Sequence, residues 1–151
     1  MADVEERIDV DAPPEQVWRA LTAWTRQGEW LLGTDVRTVG GPADGVGGRL
    51  AARTGLPLPG GRRIGVLDTM VITKWEPPRR AEVQHTGRII QGLGIFEVLP
   101  RGEHATVVWT EHLALPFGPL GRLAWPLIGP VAAAGLRRSL RRLPAFVATF
   151  P

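Results

Sequence analysis

Glu111 and His85 are the two side chains in this sequence whose type and position could do acid–base chemistry. Each belongs to a run in which apolar and polar residues alternate. Because successive side chains of a β-strand point to opposite faces, Glu111 shares a face with Trp109 and Leu113. A carboxylate or an imidazole among apolar residues can move protons as a general acid or base. It can equally form a satisfied buried ion pair, with Glu111 against His85 or Arg88, so both interpretations stay open.

Several other kinds of chemistry are excluded by the residue types that the chain lacks. There is no cysteine, which excludes disulfides, thiolate nucleophiles and cysteine-based metal or iron–sulfur sites. Ser139 is the only serine and lies among arginines, which excludes serine hydrolase chemistry. His104 and His112 lie too far apart on one predicted strand to share a metal ion. We therefore expect no metal and no cofactor.

The composition is that of a single globular domain, and we take residues 1–151 as one unit. Of the 151 residues, 44% are apolar and 22% are charged, which is enough for one sizeable core. The net charge is only +3, but acids are concentrated in residues 1–30, whereas residues 112–151 contain arginines and no acid. The acidic N-terminus lacks the basic and apolar regions of a secretory signal, so we expect a cytoplasmic protein.

The elements that position these side chains are seven strands and a long final helix, with short helices after the first strand. Residues 4–10 alternate as an amphipathic strand, and residues 15–32 have the apolar spacing of one or two short helices. Runs of β-branched residues separated by Gly and Pro then predict an antiparallel meander. Its six strands are predicted at residues 35–39, 48–53, 64–75, 81–86, 88–99 and 105–115.

The C-terminal segment predicts a long amphipathic helix that covers the apolar face of the sheet. Its apolar face carries Leu136, Leu140, Leu143 and Val147. Its opposite face carries Arg137, Arg138, Arg141 and Arg142. This arginine face is expected to be solvated, with binding of an anion as the alternative. Pro126 and Pro130 are expected to kink or interrupt the helix upstream.

The order of elements and two short motifs resemble a known superfamily. The first motif runs from Ile8 to Trp18 as IDVDAPPEQVW, and the second runs from Thr73 to Arg80 as TKWEPPRR. With the long C-terminal helix, they resemble the Bet v 1-like, START-related (SRPBCC) superfamily, in its bacterial polyketide cyclase/dehydrase and lipid-transport branch. The resemblance covers essentially the whole chain. It implies an α+β helix-grip fold, in which a seven-stranded curved antiparallel sheet wraps around the C-terminal helix and two short helices follow strand 1.

A cavity between such a sheet and its helix is lined by the inward-facing residues of both. Strand alternation places Asp68, Met70 and His85 inward, and it places Arg88 inward with Phe96 if their strand has no bulge. We predict Glu111 and His85 as the candidate catalytic residues. The candidate ligand contacts are Asp68, Met70, Arg88, Phe96, Trp109, Trp125, Leu113 and Trp30.

Three functions fit these features. The resemblance and the expected cavity favour a carrier or sensor that binds a small hydrophobic molecule, such as a lipid or a polyketide. The first alternative is a cofactor-independent cyclase or dehydratase in which Glu111 and His85 transfer protons. The second alternative is a co-chaperone-like interaction module that works through its surface. In each case we expect a monomer or homodimer that binds no nucleic acid and does not insert stably into a membrane.

Overall fold

Residues 2–151 form seven strands, two α-helices and one 3-10 helix. These are the residues that the computed structural model describes, the side chain of Arg62 excepted. The helices are α1 (Pro14–Leu21), the 3-10 helix (Trp24–Glu29) and α2 (Pro119–Thr149). The strands are β1 (Ala2–Val10), β2 (Thr34–Gly40), β3 (Arg49–Leu58), β4 (Arg62–Glu76), β5 (Arg80–Thr86), β6 (Gln91–Arg101) and β7 (His104–Ala114).

The strands form one antiparallel sheet in the order β1-β7-β6-β5-β4-β3-β2. Strands β2 to β7 follow one another as hairpins, whereas β1 pairs with β7 from Ala2 opposite Leu113 to Val10 opposite Ala105. The curved sheet wraps around α2, and α1 and the 3-10 helix follow β1. The predicted α+β helix-grip fold is therefore confirmed.

Two strand boundaries differ from the prediction by more than two residues. Strand β3 continues to Leu58, through a segment that the sequence assigned to a turn because of its prolines. Pairing of β2 with β3 stops at Thr34 opposite Thr54, so the rest of β3 has an open edge on that side, where Pro57 is tolerated. Strand β6 begins at Gln91, and the segment from 87 to 90 is a turn. Arg88 is therefore not part of a strand.

Helix α2 is continuous over 31 residues. Of the two predicted effects of Pro126 and Pro130, the interruption is therefore wrong, and the kink stays a prediction. Each proline removes one hydrogen bond within the helix. Both prolines lie on the exposed side of α2, where water can hydrate the carbonyl groups that lose their partners. The helix therefore continues through both prolines.

The hydrophobic core lies between the concave face of the sheet and the C-terminal half of α2. Leu140, Leu143 and Val147 are buried there, as their helical spacing predicts. The four arginines of the opposite face are exposed. Arg137 Nη2 lies 2.8 Å from Glu6 Oε1, so the arginine-bearing helix is tied to the acidic first strand.

We expect Leu143→Ala to destabilise the protein and Leu123→Ala, on the same helix, to leave its stability nearly unchanged. Leu143 is fully buried, whereas Leu123 is 77% exposed. Removing the buried side chain leaves a cavity and lowers the free energy of unfolding by about 2–5 kcal/mol. The free energy of unfolding of Leu123→Ala is expected to stay within about 0.5 kcal/mol of the parent value. Urea denaturation followed by circular dichroism measures both, and equal losses would contradict the assigned core.

Candidate functional site

A cavity of about 310 Å³ lies between the concave face of the sheet and α2. Its walls are mostly apolar and include the aromatic rings of Trp24, Phe96 and Trp109. Its volume falls at the lower end of the range of small-molecule sites, about 300–1,000 Å³. Helix α2 contributes four residues from successive turns of one helix face: Ala132, Gly135, Leu136 and Ser139.

Three ionisable side chains meet in the wall of this cavity. His85 Nδ1 lies 2.8 Å from Asp68 Oδ1, and His85 Nε2 lies 2.7 Å from Glu111 Oε2. The indole N–H of Trp109 donates to the other carboxylate oxygen of Glu111, Oε1, at 2.7 Å. The side chain of His85 is only 5% exposed, and those of Asp68 and Glu111 are 15% and 14% exposed. We call Asp68, His85 and Glu111 the acid–histidine cluster.

The sheet brings these residues together across neighbouring strands, and a glycine makes room for them. His85 is on β5 and Glu111 is on β7, so strand β6 lies between them. Gly94 of β6 pairs directly with Glu111. A Cβ at this position would lie 3.1 and 3.2 Å from the carboxylate oxygens of Glu111 and 3.0 Å from Val83 Cγ2. Because Gly94 has no side chain, Glu111 can reach over β6 to His85.

The acid–histidine cluster holds His85 in its protonated form at neutral pH. Burial disfavours the imidazolium and by itself lowers the pKa of His85. The hydrogen bonds to Asp68 and Glu111, with the negative charge of both carboxylates, outweigh burial and raise the pKa of His85 to about 10. Both ring nitrogens then carry hydrogen, and each donates to a carboxylate.

This geometry limits what His85 can do chemically. A general base needs a lone pair that can accept a proton. In the cluster both nitrogens of His85 are donors held by carboxylates, so the ring has no lone pair to offer a ligand. Hydrogen-bond acceptors are what remains at this wall, on the oxygens of Asp68 and Glu111.

Sequence reasoning missed four polar residues that line the same cavity. Ser139 was assigned to the arginine face, but it is buried and its Oγ accepts a hydrogen bond from the Leu32 backbone N–H at 3.0 Å. It follows Leu136 by three positions, and this spacing is a signal in the sequence that it shares the apolar face. The other three come from segments in which no site was sought: Gln27, Thr34 and Thr54.

The structure brings most of the predicted site residues together. Glu111 and His85 line the cavity, as do five of the eight predicted ligand contacts: Asp68, Met70, Phe96, Trp109 and Leu113. Trp30 is fully buried and packs edge-on against Trp109, with ring centroids 5.9 Å apart, behind the cavity wall.

Two predicted contacts lie elsewhere. Arg88 is exposed in the β5–β6 turn, so the prediction that it faces the cavity is wrong, because the strand that was to carry it inward begins only at Gln91. Trp125 lies on α2 beside Asp3 and Glu5 of β1, in a separate shallow depression. It is too far toward the N-terminus of the helix to face the cavity.

The fold and the cavity agree with one protein family. A family model described as polyketide cyclase / dehydrase and lipid transport matches residues 1–147. The chain belongs to this family. Membership of the polyketide cyclase/dehydrase and lipid transport family confirms the superfamily resemblance seen in the motifs. The search of curated proteins found no match to the chain.

Solved structures of similar fold cover nearly the whole chain. TTHA0849 from Thermus thermophilus is 19% identical, with a TM-score of 0.73 and 97% of each chain covered. MLL2253 from Mesorhizobium loti is 18% identical, with a TM-score of 0.71 and 97% of each chain covered. The Aha1 dimer from Colwellia psychrerythraea is 18% identical, with a TM-score of 0.60, 95% of this chain covered and 98% of that chain. At these identities the similarity shows the fold alone.

Two further observations concern metals and membranes. Among residues 2–151, no group of three or more His, Asp or Glu side chains is arranged to hold a metal ion. The polar atoms of the acid–histidine cluster bind one another instead. Over the same residues, no helix is both long and apolar enough to cross a membrane.

We expect the protein to lose stability as the pH rises from about 6.5 to about 10. The unfolded chain has a His85 pKa of about 6.5, whereas the folded protein raises it to about 10. The folded state therefore keeps a proton that the unfolded chain releases, and the contribution of His85 is fully present only below about pH 6.5. Across this interval the free energy of unfolding is expected to fall on the order of a few kcal/mol.

Urea denaturation at several pH values measures this effect, with His85→Gln as the reference. The chain contains no Tyr and no Cys, which removes two side-chain types that titrate at alkaline pH. In the His85→Gln variant, the free energy of unfolding is expected to change much less with pH. If the free energy of unfolding changes with pH equally in the parent and in the variant, this result would contradict the charged state assigned to His85.

Proposed function

We propose that this protein binds a small hydrophobic molecule in the cavity between the sheet and α2, as a carrier or a sensor. The observation that carries the proposal is the cavity itself, about 310 Å³ in volume and walled mainly by apolar and aromatic side chains. A few polar groups lie at fixed places in this wall, which is the usual construction of a small-molecule site. The family description, which includes lipid transport, supports the same function.

Binding is favoured over proton-transfer catalysis by the state of His85. A cyclase or dehydratase that uses Glu111 with His85 needs one of them to accept a proton from the substrate. His85 donates from both ring nitrogens, and Glu111 already accepts from His85 and Trp109. Both oxygens of the Glu111 carboxylate are therefore already engaged by groups of the cavity wall. These contacts suit a rigid wall that orients a ligand.

The test uses a leucine side chain to fill the cavity. Gly135 lies at the exposed edge of the cavity, on the same face of α2 as Leu136 and Ser139, and a Cβ there would meet no atom within 4 Å. The first side-chain atom of Gly135→Leu therefore meets no clash, and the substitution also favours the helix by up to about 1 kcal/mol. The matched control is Ala134→Leu, at the adjacent exposed position that does not line the cavity.

The uncharged fluorescent probe N-phenyl-1-naphthylamine measures occupancy of the cavity. We expect saturable binding at one site per chain in the parent and in Ala134→Leu. In Gly135→Leu the affinity is expected to fall by about tenfold or more, because the added side chain occupies the space of the probe. Bound probe should also raise the melting temperature of the parent protein. Equal affinity in all three proteins would contradict this cavity as the binding site.

A further inference from the structure

The acid–histidine cluster carries a net negative charge that its geometry fixes. Each of the two short contacts of His85 requires one hydrogen between its heavy atoms. Two carboxylates and one imidazole ring that together hold two such hydrogens have one net negative charge, wherever within the cluster the hydrogens sit. Among the described side chains, His85 is the only basic group that lines the cavity. This charge is therefore not neutralised by another side chain of the wall.

The free hydrogen-bonding sites of the acid–histidine cluster are acceptors. Asp68 binds His85 through Oδ1, which leaves Oδ2 as an acceptor. Glu111 accepts one bond on each oxygen, and each oxygen has a further lone pair. The hydrogens of His85 and of the Trp109 indole are already committed to these carboxylates. What the wall offers a ligand at this place is acceptors beside negative charge.

We infer that the cavity selects hydrogen-bond-donating lipophiles, uncharged or cationic, and rejects carboxylic acids. The inference rests on the proposed function and adds the chemical class of its ligand. An alcohol, phenol or ammonium group donates to Asp68 or Glu111 while the apolar body of the ligand lies against Phe96 and Trp109. A carboxylate at the same place loses its hydration and is repelled by the cluster.

A set of naphthalene compounds with one ring system and different polar groups tests the inference by isothermal titration calorimetry at about pH 7. The set is 2-naphthol, 2-naphthylmethylamine, 2-methoxynaphthalene and 2-naphthoate. We expect the first two compounds to bind, the methoxy compound to bind about fivefold more weakly and naphthoate to bind at least about tenfold more weakly than naphthol. The methoxy compound separates hydrogen-bond donation from hydrophobicity, because it is uncharged and donates nothing.

The variant Glu111→Gln tests whether the cluster causes the selection. It removes one negative charge at nearly constant shape, so the preference for naphthol over naphthoate is expected to shrink about tenfold. Glu103→Gln, in the exposed β6–β7 turn, makes the same chemical change outside the cavity and is expected to keep the parent's preference. If circular dichroism shows that Glu111→Gln does not fold, Asp68→Asn carries the same test.

The possible results separate the inference from the proposed function. Naphthoate binding as tightly as naphthol to the parent protein overturns the inference and leaves a hydrophobic cavity that binds ligands. An unchanged preference in the Glu111→Gln variant overturns it in the same way. Failure of all four compounds and of N-phenyl-1-naphthylamine to bind overturns the proposed function, and the inference with it.

A second and independent observation concerns apolar side chains that are left in solvent at one end of the molecule. The β3–β4 turn, the β5–β6 turn and the end of β7 lie at the same end of an antiparallel sheet with this strand order. Helix α2 starts there, directly after β7. Large apolar residues of these segments are strongly exposed. We call this surface the apolar rim, represented by Leu56, Ile64, Ile89, Leu120, Leu123 and Leu127.

The segments that form the apolar rim carry positive charge. These segments, residues 56–67, 86–96 and 112–138, contain arginines and no acid. Acids next to them are Asp3 and Glu5 of β1, which lie beside Trp125, and Asp35, which pairs with Arg63. Arg88 and Arg122 are exposed beside the rim. Two copies of this surface would bring like charges together, which disfavours self-association. A surface that is both apolar and cationic is complementary to a layer of anionic lipid.

The geometry points to the apolar rim as a docking face for an anionic membrane surface. The apolar side chains enter the boundary between headgroups and acyl chains, and the arginines contact the lipid phosphates. The same end of the sheet carries Leu113 and Thr54, which line the cavity. A lipophilic ligand can therefore pass between the membrane and the cavity with little exposure to water.

Sedimentation with vesicles tests the docking face. The full chain is expected to bind vesicles of phosphatidylcholine with one quarter phosphatidylglycerol, to bind pure phosphatidylcholine at least about fivefold more weakly, and to be released by high salt. Leu127→Glu is expected to lose at least about tenfold in binding to the mixed vesicles. Val46→Glu, at another exposed apolar position on the opposite end of the sheet, is expected to bind as the parent does.

Three results would overturn the docking face. The folded parent could fail to bind the mixed vesicles, or Leu127→Glu could bind them as well as the parent. Analytical ultracentrifugation could instead show a dimer that Leu127→Glu dissociates, which would assign the rim to a second copy of the chain.

Discussion

The site depends on one buried interaction, the imidazole ring of His85 held between the carboxylates of Asp68 and Glu111. Carboxylates are costly to bury without partners, and here each faces a donor at 2.7 or 2.8 Å. The interaction requires strands in fixed register, because its members come from β4, β5 and β7. It also requires Gly94, since a side chain on β6 would occupy the space through which Glu111 reaches His85.

Helix α2 divides the molecule into two physically different ends. Its C-terminal half buries Leu140, Leu143 and Val147 and forms the core with the sheet. Its N-terminal half leaves Leu120, Leu123 and Leu127 in solvent, and the cavity lies between the two halves. A packed end holds the strand register that the acid–histidine cluster needs, and the loosely covered end is the entrance that the proposed function requires.

The fold could be predicted from the sequence to a large extent, because its signals are local. Alternation along β7 places Trp109 and Glu111 on one face of a strand, and helical spacing places Leu140 and Leu143 on one face of a helix. Two errors in the predicted helix and strand bounds arose at prolines, because the effect of a proline depends on solvent exposure and on neighbouring strands. Pro126 does not end α2 because its side of the helix is exposed, and Pro57 remains in a strand because β3 has an open edge there.

The sequence by itself determined which side chains share one face of a strand or of α2, since period two in strands and the helical period follow from backbone geometry. That information was sufficient to select Asp68, His85 and Glu111 as members of one cavity wall. Only the tertiary structure decided that they touch, because contact between β5 and β7 depends on strand order, on register and on the missing side chain of Gly94. Contact in turn decided the chemistry. A histidine between two carboxylates keeps its proton, so the predicted base becomes a hydrogen-bond donor fixed in the wall of the cavity.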